Sequence, residues 1–259
     1  MSFTPVILLI VAALFCGMLL AFEFGRRLGI ARLARDPDGV SKGSGSVEGA
    51  VLGLLGLLLA LTFSGAGARF EERRFMIADE TNAISTAYLR LDLLPAEAQP
   101  EIRGLFRQYL DARVAAYRNV SDPDAMQAAL TQGSALQDRI WSAAVDAVRL
   151  PQTPPQAGML LLPALNEMID ITTTRAVAFQ NHPPRVIYLL LGGVGLACAL
   201  LLGYASCGTK VRSWFYILLF AATISLTLFV ILDLEFPRFG MIRVDAADEA
   251  LVELGKIMK

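Results

Sequence analysis

One histidine, three cysteines and a thin supply of charge set the first limits on this chain. His182 is the only histidine, so a site built from several imidazoles is excluded, and no cysteine clusters beside it to complete a zinc-binding set. A turn residue at a helix end is its expected role. The cysteines are Cys16, Cys198 and Cys207, and none falls between Arg69 and Pro184, so no disulfide staples that region. Cys16 and Cys198 lie in apolar runs and are expected to be small buried hydrophobes, which leaves the redox compartment unread. The 23 lysines and arginines nearly balance the 24 aspartates and glutamates. With no Lys/Arg stripe either, a nucleic-acid partner is not expected. The phosphate-cradling G-x-x-x-x-G-K-[ST], the dinucleotide-binding G-x-G-x-x-G and the nucleophile elbow G-x-S-x-G are all missing. No catalytic, cofactor or metal site is expected, and the chain does not read as an enzyme.

What is abundant is apolar sequence. Hydrophobic residues make up 55% and charged residues 18%, with a mean hydropathy of +0.52. Four runs hold no charge at all: 1–22, 49–68, 186–209 and 213–232. Each has roughly 20 residues or more, enough at about 1.5 Å per residue to cross a hydrocarbon core of about 30 Å. The first run lacks the basic n-region and small-residue cleavage site of a signal peptide. The lipid bilayer is therefore the first expected partner. The expected spans are 1–22, 49–68, 186–206 and 213–233.

Between the spans the organisation is that of two transmembrane hairpins flanking a middle region. The first hairpin covers 1–68, with a polar connector at 23–48 that ends in the Gly/Ser-rich "DPDGVSKGSGS". The second covers 185–235, and a tail with a short helix occupies 236–259. Residues 69–184 read as helices throughout. "EIRGLFRQYLDARVAAY" puts Ile102, Leu105, Phe106, Tyr109 and Leu110 on one face. "SDPD" offers Ser121 or Asp122 as an N-cap with Pro123 at the first helical position. The helix so started carries Leu136, Ile140, Trp141, Ala144 and Val148 on one side. "LPQTPPQ" breaks it, and a further helix from about Ala157 ends at "NHPP". The fold class is all-α: a polytopic membrane protein with four transmembrane helices and a helical extramembrane domain inserted between spans two and three.

Small residues recur along the second span at Gly49, Gly53, Gly56, Ala60, Ser64 and Ala68, and along the third at Gly195, Ala199 and Gly203. Within lipid, where apolar side chains gain nothing by turning away from lipid tails, such a stripe lets helix backbones approach closely. Packing within one chain and packing around an oligomer axis both fit it. Leu59, Thr62 and Phe63 lie mostly off the stripe and are candidates for the neck of a hydrophobic pore. They also suit a lipid-facing or helix-facing position.

Past Ala68 nothing breaks the helix before Pro95, so span two and the charged block Arg69, Glu71, Glu72, Arg73 and Arg74 are expected to form one long helix. Arg69 with Glu72, and Glu71 with Arg74, are spaced to pair along it. Glu80, Asn82 and Arg90 form one polar patch and Asn166, Glu167 and Asp170 another, with Arg175 further on. Interhelical hydrogen bonding is their expected role. Glu23, Glu48, Asp233 and Glu235 sit at span ends, where carboxylates are readily solvated, and are given no relay role.

"GLLGLLLALTFSGAGARFEERR", "ETNAISTAYLRLDLLP", "LNEMID", Gly203-Tyr204 and "DLEFPRFGMIRV", in this order, resemble the bestrophin-like family of bacterial membrane proteins. The resemblance runs from about Gly49 to Val244. True bestrophins carry an R-W-W-E-x-R segment after the second span, which Arg69, Phe70, Glu72 and Arg74 match in part; their preceding F-R-x-N signature is missing. The resemblance implies a homo-oligomeric channel for a small anion, pentameric in bestrophins, whose second span lines the pore. Of the bestrophin calcium clasp only Asp233 and Glu235 remain, so calcium dependence is not expected. A membrane-anchored sensor or scaffold, whose helical domain binds a partner without conducting, is the other reading.

Arg26, Arg27, Arg32, Arg35 and Lys42 fall in the first connector, and Lys210 and Arg212 in the hairpin between spans three and four. By the positive-inside rule these loops face the cytoplasm of a bacterial inner membrane, with both termini and the middle domain outside. Arg69, Arg73, Arg74, Arg185, Arg238 and Arg243 flank the opposite side and pull the other way.

Overall fold

The computed structural model describes residues 4–35, 44–208 and 214–258, and every regular element among them is helical. In chain order these are α1 (Thr4–Leu33), α2 (Ser44–Leu89), α3 (Gln99–Arg118), α4 (Pro123–Val148), α5 (Pro155–Gln180), α6 (Arg185–Ala205), α7 (Trp214–Glu235) and α8 (Asp245–Ile257). Short 3-10 turns follow α2 and α6. Lys42, Lys210 and Arg212, used above for orientation, lie outside the described residues, as does Ser213 at the expected start of span four.

Four helical segments are long and apolar enough to cross a membrane: Pro5–Leu33, Gly45–Leu93, Pro155–Gly208 and Trp214–Glu235. The chain is an all-α integral membrane protein with a helical domain between its second and third spans. The helices overrun the charge-free windows. α1 does not stop at Phe22 but runs on to Leu33, with Glu23 and Arg27 paired one turn apart along it at 3.0 Å. α2 runs unbroken for 46 residues, through the small-residue stripe and the charged block alike.

The chain divides into two compact units, one holding Glu71–Asn181 and Arg243–Lys259, the other Ser2–Phe70 and His182–Ile242. In the first, the five α3 residues chosen by their spacing are all buried, against Ile84 and Leu91, Ile140 and Ala144 of α4, Leu161 and Leu165 of α5, and Leu251 and Leu254 of α8. Each large apolar side chain so buried contributes on the order of 1.5–3 kcal/mol. Asp122 caps α4, accepting hydrogen bonds from the backbone N–H groups of Asp124 and Ala125 at 3.1 Å, with Pro123 as the first helical residue. Trp141 departs from expectation and is 36% exposed. The buried stripe of α4 follows Leu136, Ile140, Ala144 and Ala147, and one residue beyond Ile140 turns about 100° away from it.

In the second unit α1 and α6 meet backbone to backbone. A Cβ on Gly203 would overlap the carbonyl oxygen of Phe22, and one on Gly25 would overlap that of Leu200. Gly29 meets Tyr204 and Cys207 in the same way. Met18, Ala199 and Ala221 fill the contact with α7. Cys198 is buried as expected, but Cys16 is exposed on the outer side of α1.

Candidate functional site

α2 has two unlike faces. Leu55, Leu59 and Ala66 are buried in the unit's own core beside Leu191, Cys198, Leu228 and Ile231. The small-residue stripe lies on the other face: Gly49, Gly53, Gly56, Ala60, Ser64 and Ala68 are all exposed. Among the described residues, and apart from the adjoining turns of α2 itself, no heavy atom stands within 4 Å of where a Cβ would sit on Gly49, Gly53, Gly56 or Gly67. Of the two stripes, then, the one in span three serves packing within the chain, chiefly through Gly203. The one in span two is exposed, and its glycines meet no neighbouring element among the described residues.

The three neck residues part company. Leu59 packs into the core, so the expectation that it lines a pore is corrected. Its side chain lies at the border of the covered face, buried in the unit's core with Leu191 and Leu228. Thr62 is half-buried and spends its hydroxyl on the Leu58 carbonyl at 2.7 Å. Phe63 is 47% exposed and stands beside the stripe.

Where α2 leaves the apolar unit, the charged block finds distant partners. Arg69 does not pair with Glu72; its guanidinium donates to Oε1 of Glu235, with Nε at 2.9 Å. A carboxylate that needs a partner in a dry site outcompetes an exposed neighbour on the same helix, and Glu235 is fully buried. Arg73 is buried too and donates to the carbonyls of Ala178 and Asn181 at 3.3 and 2.9 Å, satisfying the end of α5. Glu71 and Arg74 form the expected pair, 3.3 Å apart and exposed, while Glu72 is exposed.

Asp233 and Glu235 therefore correct the view of them as solvated end groups. Asp233 accepts from the backbone N–H groups of Met241, at 2.9 and 3.0 Å, and Ile242, at 2.7 Å. Gly240 lies so close to this carboxylate that a Cβ would overlap Oδ1. His182 is not a simple helix cap. Its Nδ1 lies 3.5 Å from Oε2 of Glu235, and its ring lies on Phe236 with centroids 4.9 Å apart.

In the helical unit the expected patches separate. Glu80 is fully buried and takes hydrogen bonds from Arg113 at 2.6 Å, from Tyr117 at 3.0 Å and from Arg175. Both arginines also lie over the Tyr117 ring. Asn82 is exposed, and Arg90 instead donates to the Leu160 carbonyl at 2.6 Å. Asn166 donates to Asp170 at 2.8 Å on an exposed face that also carries Glu167. Arg113 and Tyr117 were not legible as partners of Glu80, which lies 33 and 37 residues away. Gly25 and Gly29 did carry a signal, the four-residue spacing of close helix contacts, but beyond the charge-free window. Among the described residues no group of three or more His, Cys, Asp or Glu is placed to hold a metal ion.

The fold has known counterparts. Crystal structures of a bacterial Bestrophin homolog from Klebsiella pneumoniae superpose on this chain. One single-substitution variant matches with a TM-score of 0.70 at 14% identity, covering 94% of this chain and 99% of that one. A second variant gives 0.70 at 15% identity, over 95% and 98%. The form phased on zinc gives 0.67 at 14%, over 93% and 97%. No curated protein sequence matches the chain. The family model of the Bestrophin-like domain matches residues 13–248, nearly the whole sequence. The chain belongs to the Bestrophin-like domain family.

Proposed function

We propose that this protein is a homo-oligomeric ion channel for small anions, with α2 packed near a symmetry axis. The observation that carries the reading is the bare face of α2. Glycines in a helix interior each cost up to about 1 kcal/mol relative to alanine. Gly49, Gly53 and Gly56 relieve no crowding against other elements among the described residues. Close packing of α2 against other copies gives them a purpose, and head-to-tail contacts that close form rings. Family resemblance supports a pentamer and an anion as the permeant species.

Such a pore is a hydrophobic constriction through the spanning part of α2, since no charge interrupts it before Arg69. Phe63 is the residue assigned to its neck. Arg69 and Arg73 do not serve as a free cationic filter, because each is already engaged, with Glu235 and with the end of α5. Native mass spectrometry in detergent tests the assembly: a closed oligomer is expected, and monomer alone at every concentration would overturn the reading.

For orientation, we place the arginine-rich end of α1 (Arg26, Arg27, Arg32 and Arg35) in the cytoplasm of a bacterial inner membrane, with the helical unit outside. Labelling of single cysteines introduced at Ser121 and Glu167 from the outside alone checks this. Protection of both would reverse it.

A further inference from the structure

The outer end of α1 lies beside the start of α7. Gly17 stands by Leu196, Gly25 by Leu200 and Gly29 by Tyr204, so α1 and α6 run the same way. Gly195 stands by Ile224 and Ala199 packs with Ala221, so α7 returns antiparallel to both. Met18 of α1 shares that contact with Ala221. Trp214, Phe215 and Tyr216 begin α7 five to seven residues before Ala221, level with Glu23 to Gly25 on α1. All three aromatic side chains are exposed. Exposed aromatics at the end of a span settle among lipid headgroups. The bilayer surface therefore crosses α1 near Glu23, and the helix continues past it to Leu33.

That continuation is graded from apolar to basic. Phe24, Arg27, Leu28, Ala31 and Arg32 fall on one side at three- and four-residue spacing, and all are exposed. Arg35 follows in the closing turn, its backbone N–H bonded to the Arg32 carbonyl at 2.9 Å. Gly25 and Gly29 occupy the side spent on α6. Glu23 is the one acidic residue of α1, and it is paired with Arg27 at 3.0 Å. Among the described residues Arg32 and Arg35 form no side-chain ion pair. In the sequence Asp36 and Asp38 come next, outside the described residues. The helix dipole favours cations in the last turn only, which accounts for Arg32 but not for Arg26 or Arg27.

Direction adds to the pattern. Each Cα–Cβ bond leans toward the N-terminus of its helix. The N-terminus of α1 is its lipid end, so the Cβ atoms of Arg27 and Arg32 lean back toward the bilayer. Their stems can lie along apolar surface while the guanidinium stays in the polar layer.

We propose that this end of α1 binds the phosphate of an anionic phospholipid. Arg32 and Arg35 hold the headgroup, and Phe24 and Leu28 lie against its acyl chains. A guanidinium offers paired N–H donors that match phosphate oxygens. Basic side chains just outside a span are drawn to an anionic leaflet. The ligand is a lipid because the apolar residues on the same side of the helix are those nearest the bilayer. The site needs neither an oligomer nor conduction, and it serves in either leaflet.

The test titrates the full-length protein in detergent with phosphatidylglycerol and follows the thermal unfolding midpoint. Phosphatidylcholine and soluble glycerol phosphate are titrated in parallel. The wild type should be stabilised by phosphatidylglycerol and far less by the other two. In Arg32→Gln/Arg35→Gln the lipid concentration for half the gain should rise on the order of 20-fold at low salt. Arg32→Lys/Arg35→Lys keeps both charges and should recover most of that loss. Arg118→Gln/Arg149→Gln removes two exposed arginines of the helical unit and should titrate like the wild type. Native mass spectrometry of the phosphatidylglycerol retained by each protein should give the same order without unfolding. A wild type that gains nothing, or gains as much from phosphatidylcholine, overturns the proposal. Equal gain from glycerol phosphate would make this a site for free phosphate and overturn the lipid assignment. A glutamine variant that titrates like the wild type, or a helical-unit variant that weakens as much, would take the site away from α1.

Discussion

Glu80 in α2 accepts a hydrogen bond from Arg113 in α3 at 2.6 Å, with the glutamate side chain fully buried and the arginine 7% exposed. Arg175 of α5 binds the same carboxylate and lies 4.0 Å from Asp248 of α8, so Glu80 and Arg175 together link four helices. Glu80→Gln would leave two buried guanidiniums facing a neutral amide. Breaking a buried pair in this way costs about 3–5 kcal/mol. Denaturant unfolding of the variant should show a loss of that size, and a loss under about 1 kcal/mol would mean that the network is dispensable.

Tyr109 supplies a pH dependence outside the membrane spans. Burial pushes its phenol above the usual value, opposed in part by the Arg113 charge and the hydrogen bond from Gln137. The folded state then holds the proton more tightly than the unfolded chain, whose phenol titrates near pH ~10. Its contribution is intact below that value and is lost as pH rises above it. Tyr109→Phe should therefore flatten the alkaline fall in stability between about pH 9 and 11. An unchanged slope would assign the fall to other groups.

Glycines on the two kinds of helix face should respond in opposite ways. Gly25→Val would drive a side chain into the Leu200 carbonyl, and the expected result is loss of folded protein. A Cβ at Gly56 meets no neighbouring element among the described residues, so Gly56→Leu should leave helicity intact while abolishing the oligomer. Gly67→Ala should weaken assembly less. If Gly67→Ala instead raises stability with assembly unchanged, this stretch of α2 is only a passive exit from the membrane.

Asp233 makes charge-assisted hydrogen bonds to two backbone N–H groups in the turn after α7. Bonds of this kind contribute about 1.5–3 kcal/mol. Asp233→Asn turns an amide N–H toward donors and should lower the unfolding midpoint accordingly. Gly240→Ala should do at least as much damage, since its Cβ has no room. Midpoints within error of wild type would contradict both.

Features carried by periodicity were legible in the sequence, and those carried by distant contact were not. The buried face of α3 and the Asp122 cap depend on neighbours within about one turn, and both were read from spacing. Arg69 was given a partner three residues away because local spacing offers only local partners; its actual partner is 166 residues on. The same limit hid Glu80's arginines, and it made Asp233 and Glu235 look like solvated end groups. Leu59 was misplaced for a subtler reason. Span two is apolar on every side, so hydropathy cannot say which face the chain's own helices cover. Gly25 and Gly29 lie past the first charge of α1, where a charge-free window ends but the helix, carrying Glu23 and Arg27, continues.

The central claim is that copies of α2 enclose a path for anions. Planar-bilayer recording of the purified oligomer, with a chloride gradient across the membrane, addresses it most directly. The account predicts discrete conductance reversing near the chloride equilibrium potential, with Phe63→Ala altering the current. An intact oligomer that passes no current would contradict it and favour a sensor or scaffold. Reversal at the cation potential would contradict the assigned ion.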